Sequence, residues 1–328
     1  MKQKNIAIFG STGHIGKNLI SFFIKNNDFK IFLFSRDIKK FESLKMIFSD
    51  TMSFNTYDDF GKNEYDVVIN CVGISNPNAF EKNSRSIFDT AEFYDTMVLD
   101  YLKNFPTTLY INLSSGAVFG GEFDKPVDDS STYNFEPREP DWQILEHKAS
   151  EVYSISKIYL ESKHRSLPDL NIVDLRIFGF FSRFIDVNAG FFMSELLQAL
   201  KNKSEFVTDK KDFVRDYVNP NDFYDLTKNC IANKKINDVF DVYSKEIISK
   251  FQILEECFNK FDLKFKLVEK IESISPTGVK KNYYSLSRKA EKINYSPQFS
   301  SLETILNESS LFLENSHISF SQNKPKKL

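Results

Sequence analysis

The chain has 328 residues, 41% of them apolar, and a formal charge of −2. It is long enough for one large domain or two smaller ones. It carries no overall basic field for nucleic acid, no apolar run near the roughly 18–20 residues of a membrane span, and three scattered cysteines, Cys71, Cys230 and Cys257, that exclude a disulfide framework and fit a reducing, cytoplasmic compartment.

Ile6-Ala7-Ile8-Phe9 reads as a short buried strand close to the N-terminus, leaving no room for a signal peptide. Gly10-Ser11-Thr12-Gly13-His14-Ile15-Gly16 follows, and Lys17–Ile24 then has helical periodicity. Strand, glycine-spaced turn and helix in that order form a dinucleotide-binding unit, in which the helix N-terminus faces a pyrophosphate. The seven residues 10–16 are therefore candidate cofactor contacts. Lys30–Phe34 is the second strand, and its tip faces the adenosine ribose. Ser35 stands at that tip and Arg36 follows. An arginine there suits a 2′-phosphate, so NADP(H) is favoured, with Asp37 keeping NAD(H) as the alternative.

Lys45–Ser49 reads as a third strand, with Asp50 reaching the adenine. Tyr65–Gly73 is a firmer strand ending in Cys71, Val72 and Gly73, small residues that suit a strand tip beneath a cofactor. A long helix over Ser84–Asn104 precedes the strand Thr108–Leu113 and its continuation Ser114-Ser115-Gly116-Ala117-Val118-Phe119-Gly120. Glu122–Glu146 is polar, holds Pro126, Pro137, Pro140 and Trp142, and reads as a loop or lid. A helix at Val152–Leu160 and a strand at Ile172–Gly179 come next, with Phe178 placed against the cofactor. Beyond it the pattern gives helices at Phe192–Leu200, Phe223–Ala232 and Ile247–Phe261. Extended segments fall at Phe213–Val218, Phe240–Tyr243 and Phe265–Val268, and Ser316–Leu328 is a frayed tail. With 34 Phe residues, phenyl rings are expected to fill much of the core. No histidine or cysteine cluster has metal-ligand spacing, so no metal is expected. His14, His147, His164 and His317 read as packed or solvated.

Tyr153 and Lys157 lie four apart on one helix, so their side chains share a face. A tyrosine with its usual pKa of about 10 exchanges protons poorly at neutral pH, and a neighbouring ammonium favours the phenolate. Ser115, after a central strand, can hydrogen-bond the reacting oxygen. Together the three form a relay in which Tyr153 gives a proton to, or takes one from, a substrate oxygen while hydride moves to or from a nicotinamide.

With these motifs in order, the chain resembles the extended short-chain dehydrogenase/reductases of the nucleotide-sugar epimerase/dehydratase type. Gly-x-x-Gly-x-x-Gly at residues 10–16, Ser114–Gly120, Tyr153-x-x-x-Lys157, Arg215-Asp216-Tyr217-Val218-Asn219-Pro220-Asn221-Asp222 and the segments Tyr284–Ala290 and Tyr295-Ser296-Pro297 are each similar to a family segment. The resemblance implies an α/β fold: a Rossmann doubly wound parallel sheet over residues 1–180, a smaller mixed lobe binding substrate over 181–315, and the tail 316–328. It implies catalytic Ser115, Tyr153 and Lys157, with Tyr153 and Lys157 also touching the cofactor. Substrate contacts are implied from Ser115, Tyr153 and Arg215, the last gripping the diphosphate of a nucleotide sugar. A homodimer through helices near 90–104 and 150–166 is also implied. Gly116 and Ala117 stand where the family's 4,6-dehydratases carry an Asp-Glu pair, which argues against dehydration. The expectation is an NADPH-dependent reductase of a nucleotide-linked keto-sugar, such as a 4-keto-sugar, in sugar-nucleotide biosynthesis. The alternatives are a nucleotide-sugar epimerase that recycles its cofactor and a non-catalytic dinucleotide-binding protein.

Overall fold

A computed structural model describes residues 3–47, 52–73, 85–120, 123–133, 149–233, 235–269 and 280–321. In its first strand, β1 (Lys4–Phe9), Ile6 and Ile8 enter one buried cluster and Ala7 and Phe9 another. This two-residue alternation gives the strand two apolar faces, and the rest of the fold covers both.

Seven strands pair in parallel in the order β3 (Ser53–Asn55), β2 (Phe29–Phe34), β1, β4 (Val67–Asn70), β5 (Leu109–Ser115), β6 (Ile172–Ile177) and β9 (Asn237–Val242). On the Ile6 face, α1 (His14–Phe23) buries Leu19, Ile20 and Phe23, and α6 (Pro220–Ala232) buries Phe223, Tyr224 and Leu226. On the other face α3 (Arg85–Asn104) buries Tyr94, Val98 and Leu102 and packs beside α4 (Ala149–Arg165). Strands covered on both faces read as continuous apolar runs, which is why they were visible in the sequence. Aromatic rings do fill the second face: Phe9 meets Phe34, Tyr57, Phe60 and Tyr94 at centroid distances of 4.7–6.2 Å. Each buried ring contributes about 1.5–3 kcal/mol.

The remaining elements form a smaller group around a separate apolar cluster. Three helices, α5 (Phe192–Asn202), α7 (Lys250–Phe261) and α8 (Ser301–Ser321), surround Leu196, Leu197, Ile253, Leu254 and Ile305. Beside them lie a parallel pair, β7 (Phe206–Asp209) with β11 (Phe265–Val268), and a three-stranded sheet of β10 (Ile248–Ser249), β8 (Val214–Arg215) and β12 (Asn282–Tyr283).

Four expectations change. Residues 45–47 are helical, within α2 (Lys40–Ile47), and the third strand is β3. Phe41 and Leu44, three apart and buried, give this stretch a helical apolar face that outweighs its local strand character. Residues 48–49 and Asp50 lie outside the described residues. The segment Ile247–Phe261 is not one helix. Ser249 ends β10 and caps α7, its Oγ accepting from the Gln252 N–H at 3.2 Å while Gln252 Oε1 accepts from the Ser249 N–H at 2.9 Å. Residues 316–321 continue α8, propagating from a helix that Ile305, Phe312 and Leu313 anchor. The start of Glu122–Glu146 is docked rather than a solvated lid. Phe123 and Val127 are buried, and the Val127 main chain bonds to Tyr284 and Leu286. Residues 134–146, with Trp142, and His147 fall outside the described residues.

His164 is fully buried between α3, α4 and β6. Its Nε2 lies 2.7 Å from Asp95 and its Nδ1 2.9 Å from Asp174. The Tyr110 hydroxyl donates to Asp95 at 3.0 Å and accepts from Asn70, and Asn112 donates to Asp174 at 2.7 Å. Burial alone would lower the imidazole pKa, but the two carboxylates hold it up at about 9. His164 is thus a packed, charged tie across three elements.

Candidate active site

In a parallel sheet all strand C-termini share one edge, and the strand order reverses between β1 and β4. A crevice opens at such a switch point, and Gly10–Gly16 lie in it. Gly10 has φ +65°, in the left-handed region, and a Cβ there would stand 2.8 Å from the Cys71 carbonyl. At Gly16 a Cβ would stand 2.6 Å from the Gly10 oxygen. The Gly13 N–H donates to the Gly10 carbonyl at 2.9 Å, and Ser11 is buried with its Oγ donating to Phe34 O at 3.0 Å. Thr12 and Gly13 are left more open at the head of α1. His14 and Ile15 turn inward: His14 Nε2 lies 2.7 Å from Ser182 Oγ, and Ile15 packs on the core. Burial, helped by Lys17, lowers the His14 pKa to about 4, so the imidazole is neutral and adds no charge to the turn. Tyr57, on the turn after β3, accepts from the Gly10 N–H at 3.0 Å; sequence reading gave it no role.

The neighbouring strand tips complete this half. Ser35 is buried, whereas Arg36 is exposed and stands near Tyr57 and Tyr94. Asp37 turns its carboxylate to the Lys39 N–H, 2.9 Å away. Val72 donates its N–H to Asn70 Oδ1 at 3.0 Å, and Gly73 is exposed. Burial pushes the Cys71 thiol up to about 12, so it is no nucleophile.

β5 carries the other half. Ser114 Oγ donates to Glu161, which is paired with Arg176. Ser115 Oγ accepts from the Ala117 N–H at 3.2 Å and lies 3.1 Å from the Tyr283 hydroxyl. Lys157 is buried, donates to Leu113 O at 2.7 Å, and holds its ammonium 5.7 Å from the Tyr153 ring centroid. Tyr283 stands within electrostatic reach of Tyr153. Phe178 is buried beside Gly116, and a Cβ on Gly116 would stand 2.3 Å from Phe178 Cδ1. A side chain at position 116 would require the Phe178 ring to move.

Arg215 sits in β8, directly paired with Tyr283 of β12. The segment is pinned from behind: Asp216 accepts from the Ser244 N–H at 2.9 Å, and the Tyr217 N–H donates to Ser301 Oγ at 2.9 Å. The Arg215 guanidinium lies 4.3 Å from the Phe213 ring centroid. Ser115, Tyr153 and Arg215 thus lie around Tyr283, the residue sequence reading passed over, with Lys157 beside Tyr153. Its only sequence signal was its place just before the Tyr284–Ala290 segment. Among the described residues no group of His, Cys, Asp or Glu could hold a metal, and no helix is long and apolar enough to cross a membrane.

The family model for the NAD dependent epimerase/dehydratase family matches residues 6–243, from β1 to the end of β9. The chain belongs to this family. It is accordingly an NAD(P)-dependent enzyme of the short-chain dehydrogenase/reductase type. Solved structures of the same fold include a UDP-N-acetylglucosamine 4-epimerase from Methanobrevibacter ruminantium, with 18% identity, TM-score 0.79, and coverage of 96% of this chain and 100% of that one. A UDP-glucose-4-epimerase from Stenotrophomonas maltophila shows 13% identity, TM-score 0.78 and coverage of 97% and 100%. A dTDP-glucose 4,6-dehydratase from Bacillus anthracis shows 13% identity, TM-score 0.75 and coverage of 96% and 98%. A search of curated protein sequences returns no significant match.

Proposed function

We propose that this member of the family reduces a keto-sugar, such as a 4-keto-sugar, carried on a nucleoside diphosphate, with NADPH as the hydride source. The observation that carries the reading is the Ser115 hydroxyl, held by the Ala117 N–H and Tyr283 beside Tyr153 and Lys157, at the same sheet edge as the glycine turn. Tyr153 gives its phenolic proton to the carbonyl oxygen, and Ser115 donates a hydrogen bond that orients that oxygen. Lys157 spends one N–H on Leu113 O and has two left for Tyr153 and the cofactor ribose. Arg215 takes the substrate diphosphate. The dinucleotide lies with its pyrophosphate on the head of α1. NADPH rather than NADH is supported by the exposed Arg36 at the tip of β2, where Asp37 is engaged with Lys39.

Fluorescence titration of the purified protein with NADPH and NADH tests this. NADPH should bind tighter by about tenfold or more, and Arg36→Ala should remove the difference. A preference for NADH, or NAD co-purifying with the protein, overturns the reductase. It would favour a second reading, a nucleotide-sugar epimerase in which the same residues oxidise and then re-reduce one carbon. The UDP-sugar epimerases of the same fold support that reading. An epimerase recycles its cofactor, whereas a reductase consumes it mole for mole.

A further inference from the structure

Ser182 stands a few residues beyond β6 and is fully buried. Its hydroxyl oxygen accepts from Asn18 Nδ2 at 2.7 Å and from the Phe184 N–H at 3.2 Å. A hydroxyl has two lone pairs and one proton, so the proton is left for His14 Nε2, 2.7 Å away. Burial and Lys17 keep His14 neutral, and its own proton therefore sits on Nδ1. The other Asn18 amide proton goes to the His14 carbonyl at 2.8 Å. His14 and Asn18 lie one turn apart on α1, so the helix meets Ser182 with two side chains.

The segment around Ser182 is where the chain leaves the sheet. Phe180 packs on the cluster beneath α1, its ring 5.2 Å from that of His14, whereas the next residue, Phe181, is buried in the cluster of the smaller group. Beyond Ser182 the chain stays with that group. The Arg183 N–H donates to the buried Glu308 of α8 at 2.8 Å, the Arg183 guanidinium pairs with the same carboxylate, and Ile185 and Val187 pack on the cluster of Leu196 and Ile253. His14 also faces the other way. It is the first residue of α1, and its N–H is one of the first-turn donors that a helix leaves free for an anion. One residue thus turns its main chain to the pyrophosphate and its ring to the root of the smaller group.

We propose that the contact of Ser182 with His14 couples the cofactor turn to the smaller group of elements, so that a dinucleotide on the head of α1 steadies residues 180–191 and α8. A dinucleotide that fixes the first turn of α1 fixes the His14 ring, and the ring holds Ser182. By linkage the effect runs both ways, and loosening Ser182 weakens the dinucleotide. The coupling goes beyond the reading given above and is the same for a reductase and an epimerase, because it needs only the cofactor.

Hydrogen exchange of the full chain, with and without a saturating dinucleotide, tests this. The probe is NADP+ or NAD+, whichever binds tighter. Exchange over residues 10–24 should slow on binding, and exchange over 180–191 and 301–310 should slow with it by about fivefold or more. Strands β7 and β11 should change little. In Ser182→Ala the slowing over 10–24 should remain, the slowing over 180–191 and 301–310 should disappear, and the dinucleotide should bind about fivefold weaker. His14→Phe keeps a ring against Phe180 and removes the bond. It should lose the same slowing, and it carries the test if Ser182→Ala does not fold. Slowing confined to 10–24 in the unaltered chain, or slowing over 180–191 that persists in the variants, overturns the coupling but not the dinucleotide site. Equal slowing over the whole chain, β7 and β11 included, is general stabilisation and overturns the coupling as well. If neither dinucleotide binds, the coupling falls together with the site.

Discussion

His164 and Lys280 are both cations withdrawn from water, and they differ in what stands next to them. His164 has a carboxylate on each ring nitrogen, and those carboxylates are in turn held by Tyr110, Asn112, Lys163 and Arg165. Lys280 has a guanidinium and two aromatic rings. The first cluster is complete in itself and ties α3, α4 and β6 together. The second has no carboxylate among the described residues. The paired cation joins three elements of the fold, and the other lies against Tyr283 at the candidate site.

The largest effect should come from breaking the complete cluster. His164→Gln removes the cation that Asp95 and Asp174 share and leaves them only the half-buried Lys163 and Arg165, a loss of about 3 kcal/mol in stability. Denaturant unfolding at about pH 6 measures it, and a loss below about 1 kcal/mol would refute the tie. The same residue gives the pH dependence its sign. Its pKa is raised from 6.5 to about 9 in the folded chain, so its contribution is full below about pH 6.5 and is lost as pH rises through about 9. The gap between the unaltered chain and His164→Gln should therefore narrow at alkaline pH.

A change at Tyr153, the proposed proton donor, should show the opposite profile. Tyr153→Phe should slow turnover at least about 100-fold, with cofactor affinity and the unfolding midpoint unchanged. Full activity in this variant, measured alongside NADPH titration, would remove Tyr153 from the chemistry.

These clusters were unequally legible in the sequence. The sheet was readable because strands buried on both faces leave unbroken apolar runs such as Ile6–Phe9 and Val67–Ile69. The glycine turn was readable because close backbone approach at Gly10 and Gly16 admits no other residue. Tyr153 and Lys157 were readable because one helical turn fixes their relation. His164 was visible only as a histidine of unknown setting, since its partners Asp95 and Asp174 come from α3 and β6. Tyr283 and Lys280 were missed because β12 is two residues long and is placed by pairing with β8 rather than by any pattern of its own. The third strand was misplaced because Phe41 and Leu44 bury as a helical pair only once α2 has docked.

Tyr110 and Tyr283 carry the same contrast down to a single hydroxyl. Tyr110 accepts from Asn70 and donates to Asp95, so its oxygen is saturated within the fold. The Tyr283 hydroxyl meets Ser115. Burial pushes the Tyr283 phenol up, so it stays protonated and can donate to Ser115 Oγ, leaving the serine proton for the substrate oxygen. Removing that hydroxyl should cost one hydrogen bond, about tenfold in kcat, with KM and melting temperature nearly unchanged. Tyr283→Phe makes this change and keeps the ring on which Lys280 rests. The decisive comparison is with Ser115→Ala. If Tyr283 acts through the serine, adding Tyr283→Phe to Ser115→Ala should slow the enzyme no further. An equal slowing in both backgrounds would mean that Tyr283 acts on the substrate directly, and that its bond to Ser115 does not order the site.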